Sequence, residues 1–439
     1  MGRSPRRPRL ARAAALAVSI AALVLLAAAP AEAGWNRPQR LAGPYSLDVQ
    51  PAQLAFSSSG QAAIAFGVQN EDHPSTSQAY EMSRAPSGRT VKARPVASSR
   101  EALALTYNGK DLSLLTGAAS GTQLCCSAAR LVKVQKGKPG QRVITTKLVG
   151  SAVGHLLPLP KGRLLSAIAT TEGVWVELAS PKGKPAPARM LTPKPAVPQT
   201  LSATALQGNR TLVGWTAAAA QPATAPPPGI VVAEGAATRA PHGPHVALRV
   251  AAGHQIDELA LGRGRSGPTA AWVESFYDAA GLLHSQVSVA DLTRSPRAKT
   301  FAIEGQLASG VSLAANSAGA QLLAWKVCDV SGSCSVEAVT RDSGKRFGSP
   351  VRLGPADASQ LPIAAISPRG LGLVGWIDRG HVIASARGAG ARRFASAREV
   401  SATNFAADLT LGFGPSNTAL AVWTQGTLAQ SVMGAQFKP

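Results

Sequence analysis

The chain is poor in acid, in aromatic residues and in cysteine. Asp and Glu number 23 in 439 residues against 45 Lys and Arg, a formal net charge of +22. Charged residues make up only 15% and hydrophobic residues 45%, which excludes a long disordered chain and leaves enough apolar surface for a large core. Four cysteines are too few to build a small disulfide-held fold. Aromatics are only 5%, so the position of each one carries information. The P-loop, G-x-S-x-G, H-E-x-x-H and EF-hand signatures are all missing, which removes the chemistries they mark. Helical periodicity is missing too.

The only long apolar run stands at the beginning. Arg3, Arg6, Arg7, Arg9 and Arg12 precede an apolar stretch over residues 13–29, followed by the small-x-small sequence Ala31-Glu32-Ala33 before Gly34. These are the three parts of a secretory signal. The run is shorter than the roughly 20 residues a membrane span needs, and no cysteine follows it to accept a lipid. The expectation is a signal peptide over 1–33 and a soluble domain over 34–439, secreted, extracellular or associated with the cell envelope. The membrane would be touched only through an uncleaved signal.

What remains is a repeat of roughly fifty residues, visible first in the aromatics. Phe66, Trp215, Trp272, Trp325, Trp376 and Trp423 each close a short apolar segment, such as PTAAW or ALAVW. Degenerate copies end at Thr116 and Ile168, which brings the count to eight units, with seven as the alternative. Each unit has an apolar segment, then a turn marked by Gly60, Gly109, Gly162, Gly208, Gly267, Gly319 or Gly370, with Ser416-Asn417 in the last unit. The aromatic-ending strand follows, then a variable loop, a third strand, a basic turn and a fourth strand. Four short strands per unit with Gly turns predict an all-β fold, a β-propeller of four-stranded blades.

The N-terminal segment predicts how the ring closes. Phe347-Gly348-Ser349-Pro350-Val351-Arg352-Leu353 leads into a fourth strand, and the segment from Phe394 to Val400 repeats its spacing. Trp35-Asn36-Arg37-Pro38-Gln39-Arg40-Leu41 repeats it again, while the last unit has no fourth strand of its own. The N-terminal strand is therefore expected beside the third strand of the last unit, near 429–434, where it removes an open seam. With this grammar the chain resembles a large class of secreted bacterial β-propellers of mostly unassigned activity. Sialidase propellers share that fold but carry S-x-D-x-G-x-T-W boxes, which do not occur here. The resemblance implies a fold and little about chemistry.

Several short motifs have a structural reading. Gly262-Arg263-Gly264-Arg265-Ser266-Gly267 matches G-x-G-x-x-G, but Pro268 and a strand follow it rather than a helix, so it reads as a hairpin turn. His242 and His245 stand in a Pro- and Gly-flanked loop sequence without acidic or thiol neighbours to complete a zinc site, and no metal or cofactor site is expected. Cys328 and Cys334 flank DVSGS and are expected to form a hairpin-spanning disulfide. The adjacent Cys125 and Cys126 read equally as a vicinal disulfide or as two thiols. The Trp series should pack between blades. Trp175 and the Phe276-Tyr277 pair lie outside its register and are candidates for exposed contact.

Charge sorts by loop class. The third-to-fourth turns carry Arg130, Lys133, Lys136, Lys138 and Arg142, then Lys182 and Lys184, Lys345 and Arg346, and Arg392 and Arg393. Arg84, Arg297, Lys299, Arg341 and Arg387 belong to the same turns, with Asp342 as the acid among them. The second-to-third loops carry Glu71, Asp72, Glu274, Asp278 and Asp378, with Lys326 and Arg379 against them. In a propeller these two loop classes lie on opposite faces, so one face is expected to be basic and the other mildly acidic. A basic face attracts polyanions; the bland alternative is a solvated surface. Without interleaved aromatics it should not read nucleic-acid sequence. The leading reading is an exported, non-catalytic and monomeric binding or scaffold protein that engages an anionic cell-wall polymer or a protein partner. The alternative is a secreted glycoside hydrolase or lyase using Glu71, Asp72, Glu274, Asp278 and Asp378 as acid and base.

Overall fold

In a computed structural model, eight antiparallel sheets stand around one axis as an eight-bladed β-propeller. The structure describes residues 34–439 apart from 71, 74–75, 100, 119–127, 135–139, 146–152, 171, 181–186, 193–197, 218–228, 266 and 302–305. The expected signal at 1–33, Glu71, Cys125, Cys126, Lys136, Lys138, Lys182 and Lys184 lie outside the described residues. Blades 1 to 7 cover 48–98, 101–145, 153–190, 198–249, 255–301, 306–356 and 363–399, and blade 8 combines 406–438 with 34–45. The first strand of each blade is innermost. We call the face with the second-to-third loops and the blade-to-blade connections upper, and the other face lower.

The repeat works because one aromatic position always faces the preceding blade. Phe66, Trp215, Trp272, Trp325, Trp376 and Trp423 are all buried. Trp272 packs on Leu248 and Ile230 of blade 4, and Trp325 stacks on Phe301 of blade 5 with ring centroids 5.3 Å apart. A strand buried on both faces has no polar side to display, which is why these strands do not alternate cleanly. The turn before each of them needs a left-handed residue. Gly60 and Gly370 have φ of 84° and 87°, and Asn417 takes the same position at 61°, a conformation Asn tolerates better than most.

Closure follows the expected pairing. Gln39 and Arg40 oppose Gly434 and Met433, and Gly34 and Trp35 oppose Lys438 and Phe437. The disulfide Cys328–Cys334 is present and closes the second-to-third hairpin of blade 6. The G-x-G-x-x-G segment forms the first hairpin turn of blade 5, with the Gly264 N–H donating to the Gly267 carbonyl. His242 and His245 are not on a loop. They sit in the outer strand Arg239–Arg249 of blade 4, whose register against Gly229–Ala236 shifts repeatedly, so the strand absorbs its Pro and Gly as irregularities.

Three arginines at the end of third strands, expected on the basic face, are instead latches between blades. Arg84 donates to Gln39 Oε1 at 3.0 Å, Arg341 to both oxygens of Asp291 at 2.8 and 2.9 Å, and Arg387 to Asp342 Oδ1 at 3.4 Å. Each reaches the preceding blade. Arg341 also donates to Thr269 and lies over the Phe347 ring. Arg341→Met keeps the aliphatic stem but leaves Asp291 without its cation. Because Asp291 is about a third exposed, the loss should be about 2 kcal/mol rather than the larger cost of a fully buried pair, read as a lower denaturant midpoint.

Candidate functional site

The upper end of blade 5 holds a cluster that the sequence reading did not assemble. Its second strand, Pro268–Tyr277, alternates Trp272, Glu274 and Phe276 onto the side facing blade 4. Gln255 pairs with Ser275 and Phe276 pairs with His284, so His254, Phe276 and His284 stand side by side across the first three strands. The His254 ring stacks on Phe276 at 4.2 Å and 9°, and the His284 ring stacks on it at 5.5 Å and 21°. One phenyl ring thus holds two imidazoles in fixed planes.

Each imidazole has its own carboxylate. His254 Nδ1 lies 3.3 Å from Glu274 Oε1, and His284 Nε2 lies 2.7 Å from Asp278 Oδ2. Glu274 is buried and also accepts from Trp272 Nε1 at 2.9 Å and from the Gln286 amide. With three donors its orientation is fixed. Asp278 is in the loop, where it accepts from His284 and from the backbone N–H groups of Leu282 and Ala280; the His284 bond, then these, hold its carboxyl below the ordinary range. The pairings leave Nε2 of His254 and Nδ1 of His284 without a partner among the described residues. A histidine oriented by a carboxylate, with its other nitrogen open, is equipped to move a proton.

A cleft of about 490 Å³ adjoins the cluster between blades 4 and 5, lined by Trp272, Glu274, Ser288, Thr300 and the chain from Val246 to Ala251. Tyr277, which ends the second strand, is 70% exposed, and Leu282 and Leu283 are exposed beside it, Leu283 opposite Tyr277 at the start of the third strand. The expected exposed contact at Phe276-Tyr277 therefore divides: Tyr277 faces solvent, while Phe276 is the half-buried spacer of the histidines. Trp175 is half-buried in the third strand of blade 3.

The other candidate carboxylates do not join this cluster. Asp72 is exposed on blade 1, and Asp378 ends the second strand of blade 7. Among the described residues no hydrogen bond or ion pair links either of them to Glu274 or Asp278. Glu274 is a strand residue rather than a loop residue. Lys326 is likewise buried in a strand of blade 6, where its ammonium donates to the carbonyls of Ala358 and Gln360 and burial pulls it below its usual range. Asp408, on the inner strand of blade 8, was not expected as a candidate at all. Burial, with Asp48 nearby, raises its carboxyl, and it accepts from Thr424.

The turn cations are more engaged than their sequence suggests. Lys133 pairs with Asp111 at 2.8 Å, Arg142 with Glu177 of blade 3, and Lys345 with Asp342 at 3.5 Å. Arg130 is half-buried in its strand, while Arg346, Arg392 and Arg393 are exposed. Acids on neighbouring strands and blades offset these turns. Sorting by loop class counted Asp342 alone because it did not include strand residues.

The comparisons place the fold and no more. No protein-family model matches the chain, and no curated protein matches it in sequence. Solved structures resemble it in fold, among them a protein of unknown function from Dyadobacter fermentans, with a TM-score of 0.45 at 12% identity over 93% of this chain and 99% of its own. The polysaccharide lyase Uly1 superposes with a TM-score of 0.51 at 8% identity, covering 81% of this chain and 91% of its own. An ulvan lyase of a new polysaccharide lyase family gives 0.50 at 8% identity over 89% and 94%. An α-L-arabinanase of Penicillium chrysogenum gives 0.41 at 10% identity over 91% and 98%. At these identities the likeness is one of fold.

Proposed function

We propose that the protein is an exported enzyme that cleaves an acidic polysaccharide at the upper edge of blade 5. The observation that carries this reading is the pair of carboxylate-oriented histidines held on either side of Phe276. Breaking a uronate chain by elimination needs a base beside the carbon next to the carboxylate and an acid beside the departing oxygen. His254 takes the proton at Nε2, the electron pair becomes the C=C bond, and the C–O bond to the leaving sugar breaks. His284, paired with Asp278 through Nε2, gives a proton from Nδ1 to that oxygen. Glu274 holds His254 in place and touches no substrate, so it is a positioning residue. Exposed Tyr277 offers a sugar-stacking surface.

Three further points favour the reading. The strongly positive chain suits an anionic polymer. The apolar leader and the disulfide fit an oxidising compartment outside the cytoplasm. Polysaccharide lyases occur on this propeller scaffold. This reading moves catalysis from loop carboxylates to histidines and sets the non-catalytic scaffold aside.

The test is an assay on alginate, polygalacturonate, hyaluronan and chondroitin. It follows the ultraviolet absorbance of the unsaturated product together with new reducing ends. Elimination predicts that both appear in equal amounts on at least one polymer. Reducing ends without absorbance would mean hydrolysis and a different acid–base pair. Neither signal on any polymer would return the protein to the binding class.

A further inference from the structure

The lower face carries a second site, between the outer edges of blades 5 and 6. A cleft of about 450 Å³ lies between the third-to-fourth turns of the two blades, lined by Arg297, Lys299, Arg341, Arg346, Asp291 and Phe347. Among the described residues four cations thus face one carboxylate, and that carboxylate is already committed. Asp291 takes two hydrogen bonds from Arg341 and one from Thr269 at 2.7 Å.

The four cations fall into two sets. Lys299 and Arg341 are pre-organised. The Lys299 ammonium donates to the carbonyls of Phe347 and Gly348 at 2.8 and 2.7 Å and sits 5.2 Å from the Phe301 ring centre, while Arg341 lies over Phe347 at 4.8 Å. Lys299 has three ammonium protons and uses two on these carbonyls. Arg297 and Arg346 are exposed, one from each blade, and neither makes an ion pair among the described residues. Their guanidinium groups are planar forks that match oxyanions in two-point contact. Residues 297 and 346 belong to different repeats, so only the side-by-side packing of the two blades brings them to one cleft.

We propose that this cleft binds the oxyanion of a phosphate or sulfate ester, independently of the reaction site on the upper face. A tetrahedral oxyanion accepts from several directions at once, as the two arginines and the third Lys299 proton require. A planar carboxylate satisfies fewer of them.

The experiment is calorimetric titration of the full chain with inorganic phosphate, inorganic sulfate and acetate at an ionic strength of about 0.1 M, where the Debye length is about 10 Å. Phosphate and sulfate should bind, acetate more weakly, and their ranking tells a phosphate from a sulfate preference. The double variant Arg297→Gln/Arg346→Gln should weaken the preferred anion by about tenfold or more. The matched control Arg392→Gln/Arg393→Gln removes the same charge from blade 7 and should leave the affinity within about twofold, because exposed charges beyond a Debye length are screened. All four residues are exposed, so both variants should melt like wild type. Equal weakening in both variants would reduce the site to diffuse net charge. An unchanged double variant, or acetate binding as tightly as phosphate, would also overturn it. None of these readouts depends on polysaccharide cleavage, so failure here leaves the proposed reaction untouched.

Discussion

Deleting residues 34–42 should lower the melting temperature sharply and drive the protein into aggregates. The segment supplies the outermost strand of blade 8, opposite Gln430–Lys438. Leu41 and Ala42 are buried in the seam between blades 8 and 1, and Trp35 packs on Phe437 at 5.3 Å. Gln436 N donates to Asn36 Oδ1 at 2.6 Å, and Gln39 receives the Arg84 latch from blade 1. Losing the burial of Leu41 and the partial burial of Trp35 alone costs about 3 kcal/mol at the usual value per buried side chain. The bare edge left behind is a template for pairing with another molecule. A thermal scan with light scattering reads both effects. Unchanged melting of a monomeric deletion variant would mean that this strand does not close the ring.

A permuted chain tests the same point in the opposite direction. Gly34 lies opposite Lys438, so a short flexible linker from Pro439 to Gly34 makes blade 8 continuous, with new termini near Ser46-Leu47. That chain should melt like wild type. A point variant isolates the fit itself. A Cβ at Gly434 would come 2.6 Å from Leu41 Cδ1, so Gly434→Val should displace the strand without deleting it.

His254→Ala should lower kcat on the responsive polysaccharide by about 10²–10⁴-fold, the usual contribution of a positioned base. KM should change little, because the imidazole acts on the reacting proton rather than on the rest of the polymer. Glu274→Gln should also lower kcat at constant KM, but by less, since the amide still occupies the site and still contacts Trp272. A purely structural Glu274 would instead lower stability and leave kcat alone, which a melting curve run beside the kinetics distinguishes. His284→Ala should resemble His254→Ala if it protonates the leaving oxygen. It should recover with substrates whose leaving group needs no proton, whereas His254→Ala should not. Full activity in His254→Ala would remove the proposed base.

The propeller was legible in the chain because its information is local and repeated. A turn followed by an apolar run ending in an aromatic recurs six times, and the two degenerate copies that end at Thr116 and Ile168 keep the spacing. Strand pairing inside a blade joins neighbours in sequence, so each hairpin is read from a short window. Even the long-range pairing of residues 34–41 with 433–438 was legible, because an orphan copy of the fourth-strand pattern stood at one end and a blade without its fourth strand at the other. The hairpin disulfide was equally local.

The site was not legible, because its contacts cross strands on one face and cross from blade to blade. His254 and His284 are thirty residues apart and look scattered in the chain; the register Gln255–Ser275 and Phe276–His284 makes them neighbours through Phe276. The signal was present in the spacing of three aromatic rings on consecutive strands, but it depends on a register that sequence alone leaves open by one residue, and a slip of one residue turns a side chain to the other face. Charge failed for the same reason. Loop class sorted the cations by face, while the twist and packing of the blades decided which of them met an acid. Arg142 and Arg341 found Glu177 and Asp291 on neighbouring blades, and Arg297 and Arg346 were left facing the same cleft. Repetition along the chain determines the ring, and side-by-side packing of unlike blades decides which side chains share a site.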